Sequence, residues 1–290
     1  MRVVIGGASG YVGSALVASL LADGHQVVAL SRRSAGAPAS LTSVPWGEVG
    51  AALQDADAVV NLAGESIGAP FWTARRKEAI RTSRIDTTRA LVEAIEASRR
   101  RPSVLVSASG IDYYGHSGEV EVDETAPAGT SFLAQVCVEW EAAAAAAPIR
   151  HVAIRTALVI GPGAPSLRLM ALPFRLFVGG PLGSGRQFFP WIHRDDLVGL
   201  YRLAIDERSL AGPLNAVAPQ QLRQREAARE LGAVLHRPAL VPTPARVLRL
   251  ALGEQADLLL HGQRAVSSRL GDFPFRYPEL RPALLDALAR

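Results

Sequence analysis

The amino-acid sequence predicts an α/β fold: a doubly wound parallel sheet with helices on both faces, followed by a smaller C-terminal lobe. Short runs rich in valine and isoleucine alternate with helical stretches through the first two-thirds of the chain. A glycine-rich turn joins the first run to the first helix, and beyond residue 160 glycine and proline become dense. Alternating strands and helices are typical of a parallel sheet that is covered on both sides.

Each element is predicted from its pattern and from the residues that end it. Asp23 and Gly24 end the first helix and Pro148 ends the third, because proline and glycine both interrupt helical backbone. We expect a loop containing Pro45 and Trp46 between the second and third strands. The predicted strands span 2–5, 26–30, 57–62, 103–107 and 150–155, and the predicted helices span about 14–22, 73–98 and 131–147.

The composition excludes several classes of protein. Of the 290 residues, 49% are hydrophobic and 20% are charged, which allows a substantial buried core. A net charge of +4 is small for this length, and no run of 18 apolar residues occurs, so we expect neither a nucleic-acid nor a membrane partner. The single cysteine, Cys137, excludes a disulfide framework and a cysteine-based zinc site. This fits a reducing cytoplasm, and we predict no metal site.

The glycine-rich turn has the spacing of a dinucleotide-binding site. In VVIGGASGYVG (3–13), Gly7, Gly10 and Gly13 recur every three residues between a strand and an amphipathic helix. Glycine permits the tight turn, the approach of backbone to a pyrophosphate, and close packing of helix on strand. The N-terminus of the helix then offers N–H groups to the phosphates. The predicted contacts in this turn are Gly7, Ser9, Gly10, Tyr11, Val12 and Gly13.

The end of the second strand predicts which dinucleotide binds. A site for NAD carries Asp or Glu there to accept a hydrogen bond from the ribose 2′-hydroxyl. This chain has Ser31 and Arg32 instead, and both can donate hydrogen bonds to a 2′-phosphate. We therefore predict NADP(H) as the cofactor, with Arg33 pointing to solvent.

These motifs resemble those of the extended short-chain dehydrogenase/reductases, the NAD(P)-dependent sugar epimerase and dehydratase group. The chain is still more similar to an atypical subfamily, known as epimerase family proteins, which has a C-terminal domain of unknown function. The resemblance implies that Leu62, Ala63 and Gly64 contact the cofactor. The matching motifs are GGASGYVG, NLAGESIG, VSAS…YYG, IRTALVIGPG, PFRLFVGGPLGSGRQFFPWIH and FPFRYPEL.

The catalytic pair that the resemblance implies is missing. Extended reductases carry Tyr-x-x-x-Lys on one helix, where the tyrosine transfers a proton and the lysine lowers its pKa. Aligning on Glu141 places Leu133 and Cys137 at these positions, and a shift by one places Phe132 and Val136 there. We expect the thiol to pack on an apolar helix face, so oxidoreduction by the usual route is excluded.

Three residues are candidates to replace the pair. Ser109, rather than Ser107, stands where the resemblance implies an active-site serine, although a strand-end hydroxyl is an equal alternative. Arg84 stands at an active-site position of the family and could neutralise cofactor phosphate or an oxyanion, or form a surface ion pair. Tyr113 is a candidate proton donor on the loop above the site.

A second group of residues is predicted to face the substrate or to join the lobes. His193 and Asp195 are expected to tie the C-terminal lobe to the sheet domain, and Lys77 could reach the cleft. The predicted substrate contacts are Glu65, Tyr114, Arg186 and Gln187.

These observations lead to one organisation and to alternative functions. We predict an NADP-binding Rossmann domain at 1–160, with contributions up to about 220, and a substrate lobe at 161–290 that includes a helical tail from 223. The leading hypothesis is an atypical NADP(H)-dependent oxidoreductase or epimerase acting on a small molecule. The alternatives are an NADPH-binding protein without redox turnover and, more weakly, a non-redox lyase or isomerase. A homodimer is one of the oligomeric states that the sequence leaves open.

Overall fold

The fold is built on a seven-stranded sheet in which every pairing is parallel. The computed structural model describes residues 1–31, 41–68 and 71–289. The strand order is β10-β7-β5-β4-β1-β2-β3. Its strands are β1 (Arg2–Gly6), β2 (Gln26–Ser31), β3 (Thr42–Pro45), β4 (Ala58–Asn61), β5 (Val104–Gly110), β7 (Arg150–Thr156) and β10 (Gly212–Ala216).

Helices cover both faces of this sheet and form most of the C-terminal lobe. Two short parallel pairs accompany them: β6 (Glu121–Val122) with β11 (Arg264–Ala265), and β8 (Leu158–Ile160) with β9 (Trp191–His193). The helices are α1 (Tyr11–Ala22), α2 (Val49–Ala52), α3 (Ala74–Ala97), α4 (Phe132–Ala145), α5 (Pro165–Arg175), α6 (Arg194–Asp206), α7 (Gln224–Leu235), α8 (Ala245–Leu252), α9 (Asp257–Leu260) and α10 (Leu280–Leu288).

The central strands are apolar without alternation because both of their faces are buried. Val3 and Ile5 belong to the hydrophobic cluster on one side of the sheet, and Val4 belongs to the cluster on the other. Val4 pairs with Val28 and Val59 in the neighbouring strands. Burial on both faces explains the continuous valine-rich runs that predicted the strands. The predicted α/β fold with a doubly wound parallel sheet is confirmed.

The topology places the glycine turn at the switch point of the sheet. Strand β1 pairs with β2 on one side and with β4 on the other, so the chain order reverses at this strand. Ligands of open α/β sheets bind in the crevice at the carboxyl ends of the strands, at such a reversal. The turn after β1 and the segments after β4 and β5 therefore meet at one edge of the sheet.

The sequence pattern predicted neither edge strand of the sheet. Strand β3 ends at Pro45, inside the segment expected to be a loop, and β10 contains Pro213. Proline is tolerated at sheet edges because one side of an edge strand needs no ladder hydrogen bond. Strand β10 and helix α6 also lie beyond residue 160, so the sheet domain receives contributions from the chain up to 216.

The C-terminal lobe is attached to the sheet domain by buried polar contacts. The buried His193 accepts a hydrogen bond from the Asp195 N–H at the start of α6, and its Nε2 lies 3.2 Å from Asp286 Oδ2 of α10. Asp196 accepts hydrogen bonds from the backbone N–H groups of Arg276 and Tyr277, at 2.7 and 3.0 Å. These contacts join β9 and α6 to the end of the chain through His193 and Asp196, and Asp195 adds an ion pair with Arg276 at 3.3 Å.

None of the helices in the described part of the chain is long and apolar enough to span a bilayer.

Candidate functional site

The turn after β1 requires glycine at two of its positions. Gly7 has a φ of +80°, and a Cβ built on it would lie 2.6 Å from the Leu62 carbonyl oxygen. A Cβ on Gly13 would lie 2.2 Å from the Gly7 carbonyl oxygen. No side chain fits at either distance, so the two glycines allow the β1–α1 turn to contact both the helix and the segment after β4.

The N-terminus of α1 is open to an anion. Gly10 is the N-cap and provides no side-chain cap, and its own N–H donates to the Gly7 carbonyl at 3.0 Å. Ser9 and Gly10 are exposed. The first N–H groups of a helix lack partners within the helix and lie at the positive end of its dipole. This arrangement suits the pyrophosphate of a dinucleotide.

Tyr11 and Val12 are the first two residues of α1. The Tyr11 ring packs against the C-terminal lobe, 5.4 Å from the Arg194 guanidinium carbon, and burial raises the pKa of its phenol. Val12 packs against the hydrophobic cluster beneath α1. The side chains of both residues therefore belong to the packing of the fold.

The proposed 2′-phosphate contact is only partly described. Ser31 is half-buried at the end of β2, and Leu30 before it pairs with Gly6 at the end of β1. The hydroxyl thus lies on the strand next to the glycine turn. Arg32 and Arg33 lie outside the described residues, and their assignment stays a prediction.

A buried asparagine orients the segment after β4. Asn61 donates to Thr88 Oγ1 at 2.9 Å and accepts a hydrogen bond from the Ala63 N–H at 3.1 Å. Thr88 Oγ1 also accepts a hydrogen bond from the Trp140 indole at 3.0 Å. Leu62, Ala63 and Gly64 are thereby held against the glycine turn by α3 and α4.

Arg84 supports the same segment from α3. Its Nη1 donates to the carbonyls of Glu65 and Ile80, at 3.0 and 2.9 Å, and its Cζ lies 5.2 Å from the centre of the Trp140 ring. A Cβ on Gly64 would lie 3.1 Å from the guanidinium carbon, so the cation lies directly under this loop. Burial lowers the pKa of Arg84. The predicted surface ion pair is absent among the contacts of the described residues, and Arg84 is placed to position the loop.

Glu65 has an ion-pair partner on the exposed side of this loop. Its carboxylate lies 2.9 Å from Arg76 Nη1, and Arg76 also donates to the Ser66 carbonyl. Lys77 pairs with Glu254 and lies 5.0 Å from the centre of the Phe132 ring. Arg76 and Lys77 therefore fasten neighbouring segments at the mouth of the cleft.

Ser109 takes part in a buried ionic network. Its hydroxyl donates to Glu141 Oε1 at 2.7 Å, and Arg155 binds both carboxylate oxygens of Glu141 at 2.8 Å. Arg155 also donates to the Tyr114 hydroxyl at 2.9 Å, which in turn donates to Asn215 at 2.7 Å. The network joins β5, α4, β7 and β10, and it leaves the Ser109 proton directed at a carboxylate.

The two tyrosines differ in their surroundings. Tyr114 is buried within this network, and burial raises the pKa of its phenol. Tyr113 is half-buried, with its ring 3.4 Å from the Arg155 guanidinium carbon and edge-on to Tyr114. Tyr114 borders the cleft, whereas Tyr113 packs against the core beside Arg155.

The positions of the missing pair are apolar or neutral. Leu133 and Cys137 are both buried on the inner face of α4. Burial raises the pKa of the Cys137 thiol to about 12. The thiol therefore stays protonated at physiological pH and packs, since the thiolate is the reactive form of cysteine.

Asp112 is the carboxylate that sequence reasoning overlooked. It lies in the 3-10 helix Ile111–Tyr114, directly after β5, and it lines a cleft of about 430 Å³. Burial raises its pKa to about 6, against the opposing effects of its own backbone hydrogen bond, His116 and Arg84. Its only signal in the sequence is a single acidic residue in the apolar stretch GIDYYG.

The cleft lies between the sheet domain and the C-terminal lobe. One wall comes from the segment after β5 and the start of α4, and the other from residues 254–263. Gln263 donates to the Gly115 carbonyl at 2.7 Å, and Gln255 donates to the Ile67 carbonyl, so the lobe is fastened across the opening.

Arg186 and Gln187 are not among the described residues that line this cleft. Arg186 is exposed, and its carbonyl accepts a hydrogen bond from Arg223 at 2.7 Å. Gln187 donates to the carbonyls of Leu182 and Leu259, at 3.1 and 2.7 Å. Gln187 thus contacts α9 itself, and the assignment of both residues to the substrate stays a prediction.

Three potential metal ligands meet where the two walls of the cleft face each other. Ligand atoms of His116, Asp257 and His261 lie within 4.8 Å of one another. The two imidazole rings are stacked, with centroids 3.9 Å apart and planes inclined by 14°. Because the nitrogen lone pairs lie in the ring planes, nearly parallel rings cannot direct them at one ion. The arrangement is therefore not a preformed metal site.

Comparisons with known proteins assign this chain to a family. The model of the NAD dependent epimerase/dehydratase family matches residues 3–215, and a domain of unknown function, DUF1731, matches residues 243–287. The epimerase family protein SDR39U1 of Mus musculus is 40% identical over 298 residues, and the alignment covers 100% of both chains. The epimerase family protein YfhF of Bacillus subtilis is 33% identical, covering 100% of this chain and 98% of the relative.

Two solved structures extend the comparison. The crystal structure of human SDR39U1 isoform 2, determined with NADPH, has a TM-score of 0.92 and 38% identity, and 99% of each chain is covered. A nucleoside-diphosphate sugar epimerase from Corynebacterium glutamicum has a TM-score of 0.80 and 32% identity, covering 99% of this chain and 58% of that one. The chain therefore belongs to the NAD dependent epimerase/dehydratase family and, as the resemblance predicted, to the epimerase family proteins that carry DUF1731.

Proposed function

We propose that this protein is an NADP(H)-dependent oxidoreductase or epimerase that acts on a small molecule bound in the cleft between its two lobes. The observation that carries the proposal is the open N-terminus of α1 behind a turn that only glycine at positions 7 and 13 permits. The human relative that was crystallised with NADPH covers 99% of this chain, which supports the same cofactor here.

The residues present fit this cofactor. Backbone N–H groups at the start of α1 would hold the pyrophosphate, and Ser31 with Arg32 would hold the 2′-phosphate. Leu62, Ala63 and Gly64 would face the cofactor from the neighbouring strand end, with Arg84 supporting them. When bound, NADPH supplies a hydride for reduction, and NADP⁺ accepts one.

The substrate class is open between carbonyl compounds and nucleotide sugars. The cleft has about 430 Å³ and is lined by both aromatic and charged side chains, which suits a small polar molecule. The similarity to a nucleoside-diphosphate sugar epimerase of 32% identity supports testing nucleotide sugars in particular.

An NADPH-binding protein without redox turnover is the second candidate. The observation that favours it is the network around Glu141, which holds the hydroxyls of Ser109 and Tyr114 in contacts within the fold. With Leu133 and Cys137 in place of the missing pair, the usual route for proton transfer is closed.

Absorbance at the reduced-nicotinamide band distinguishes the two candidates. The protein is incubated with NADPH and a panel of small aldehydes, ketones and nucleotide sugars, with product analysis for epimerised sugars. Turnover that is lost in Arg84→Ala and kept in the surface variant Arg99→Ala supports the enzyme. Tight NADPH binding without consumption or product across the panel supports the second candidate.

A reducing, cytoplasmic location is part of the proposal. The only cysteine is buried in α4, which is compatible with that environment.

A further inference from the structure

The site lacks a side chain that can exchange a proton with a substrate at the expected helix positions. Leu133 has no titratable group, and the Cys137 thiol is buried with a pKa near 12. The hydroxyls of Ser109 and Tyr114 are directed at Glu141 and Asn215. Reduction of a carbonyl still requires a proton for the oxygen, so another group must deliver it.

Asp112 occupies the place from which such a proton could come. It follows β5 at the carboxyl edge of the sheet, where the glycine turn also lies, and it borders the cleft together with Leu133. A Cβ built on Gly110 would lie 3.5 Å from Asp112 Oδ2 and 3.7 Å from Cys137 Sγ. The carboxyl group and the thiol thus flank the same glycine, beside the helix positions of the missing pair.

We propose that Asp112 is the catalytic acid–base of this site and exchanges a proton with the substrate oxygen. The inference rests on the proposed function, which supplies the hydride from NADPH. In reduction, the O–H bond of the Asp112 acid breaks as an O–H bond forms on the substrate oxygen. The carboxylate that remains takes a proton from water before the next turnover, and in oxidation the same carboxylate accepts the proton of the alcohol.

The surroundings of Asp112 suit this role. Burial raises its pKa to about 6, so both protonation states are present near neutral pH, as an acid–base catalyst requires. Arg84 of α3 and His116 favour the charged carboxylate and so lower the pKa of Asp112. The Cys137 thiol of α4 is a neutral neighbour. The titratable groups on the facing wall of the cleft are Glu254, Asp257 and His261.

Carboxyl ¹³C NMR tests the inference without a known substrate. Protein labelled at aspartate is titrated alone, with NADPH and with NADP⁺, and the Asp112 signal is identified by its absence from Asp112→Asn. We expect titration near pH 6 in the unliganded protein. Because only the oxidised nicotinamide carries a positive charge, we expect a pKa about 0.5 lower with NADP⁺ than with NADPH. The exposed Asp206 provides a control signal, assigned with Asp206→Asn.

The outcomes separate this inference from the proposed function. If NADPH quenches no intrinsic fluorescence and shifts no signal, the proposed function fails. If NADPH binds but Asp112 titrates near 4, or equally in both redox states, the assignment of Asp112 is overturned alone. For any carbonyl that is reduced, Asp112→Asn should lower kcat about 100-fold with NADPH affinity kept within twofold, and Asp112→Glu should restore part of kcat.

Discussion

Ser109 donates a hydrogen bond to Glu141, with 2.7 Å between Oγ and Oε1, and Glu141 in turn accepts hydrogen bonds from Nε and Nη2 of Arg155. The serine hydroxyl at the expected active-site position is therefore part of a buried ion pair. The same arrangement connects three elements around the cleft, since Ser109 lies on β5, Glu141 on α4 and Arg155 on β7. Its main contribution is to the stability of the site.

The first prediction concerns this network. Glu141→Ala should lower the free energy of unfolding by about 3–5 kcal/mol, because it leaves the Arg155 cation buried without its partner. Ser109→Ala should lower it by only about 1 kcal/mol and should leave NADPH affinity unchanged. Urea denaturation of the variants measures both values.

Glu139→Ala is the matched control for this prediction. Glu139 lies on the same helix and pairs with Arg81, but both side chains are about 40% exposed. Exposed pairs contribute about 0–1 kcal/mol, so this variant should remain close to wild type. Equal losses in Glu141→Ala and Glu139→Ala would contradict the role given to the buried network.

The second prediction concerns the glycine turn. Gly13→Ala should weaken NADPH binding more than tenfold and lower the free energy of unfolding by about 2 kcal/mol, because the new methyl group would lie 2.2 Å from the Gly7 carbonyl oxygen. Gly50→Ala in α2 adds a methyl group to open space and should leave NADPH binding unchanged. Fluorescence titration with NADPH compares the two variants, and unaltered affinity in Gly13→Ala would refute the prediction.

The third prediction concerns the dependence of stability on pH. The folded-state pKa of Asp112 is raised to about 6, so the folded protein holds this proton more tightly than the unfolded chain does. The free energy of unfolding therefore falls as the pH rises from about 4 to 6, and it stays at the lower value above that range. Asp112→Asn should be more stable than wild type at pH 7.5, by on the order of 1 kcal/mol once partial exposure is allowed for, and the gain should shrink at pH 4.

Denaturation curves at both pH values measure this difference. The control variant Asp206→Asn changes an exposed carboxylate at the end of α6 and should show no such pH dependence. A wild-type protein that is more stable than Asp112→Asn at pH 7.5 would refute the raised pKa.

The sequence predicted the centre of the fold better than its edges. Strands buried on both faces show continuous valine-rich runs, and β1, β2, β4, β5 and β7 all lie where these runs predicted strands. The edge strands β3 and β10 are short and contain proline, so their sequences TSVP and GPLNA have no strand pattern of their own. They form strands because they pair with β2 and β7, where Val28 lies opposite Thr42 and Val152 lies opposite Gly212.

The sequence identifies those site residues whose type is required by a local backbone turn. It does not identify residues whose role depends on contacts with distant parts of the chain. Gly7 and Gly13 are identified by spacing because a local turn requires them. The partner of Ser109 lies 32 residues away on another element, and sequence alone could not assign it. The altered pKa of Asp112 likewise depends on how the folded chain buries this carboxyl group, which no local sequence pattern reports.

The fourth prediction concerns the choice of cofactor. Arg32→Ala should weaken NADPH binding at least tenfold and leave NADH binding nearly unchanged, because only NADPH carries the 2′-phosphate. Arg99→Ala removes an exposed cation just beyond the end of α3 and should alter neither affinity. Equal losses for both dinucleotides in Arg32→Ala would refute the assignment of the 2′-phosphate site.

Calorimetric titration of the wild-type protein with NADPH tests the central claim most directly. We predict one binding site per chain, with NADPH bound at least tenfold more tightly than NADH and with binding to Gly13→Ala weakened more than tenfold. Absence of binding heat for both NADPH and NADP⁺ at several temperatures, on a protein shown to be folded by circular dichroism, would contradict the dinucleotide site and the function built on it.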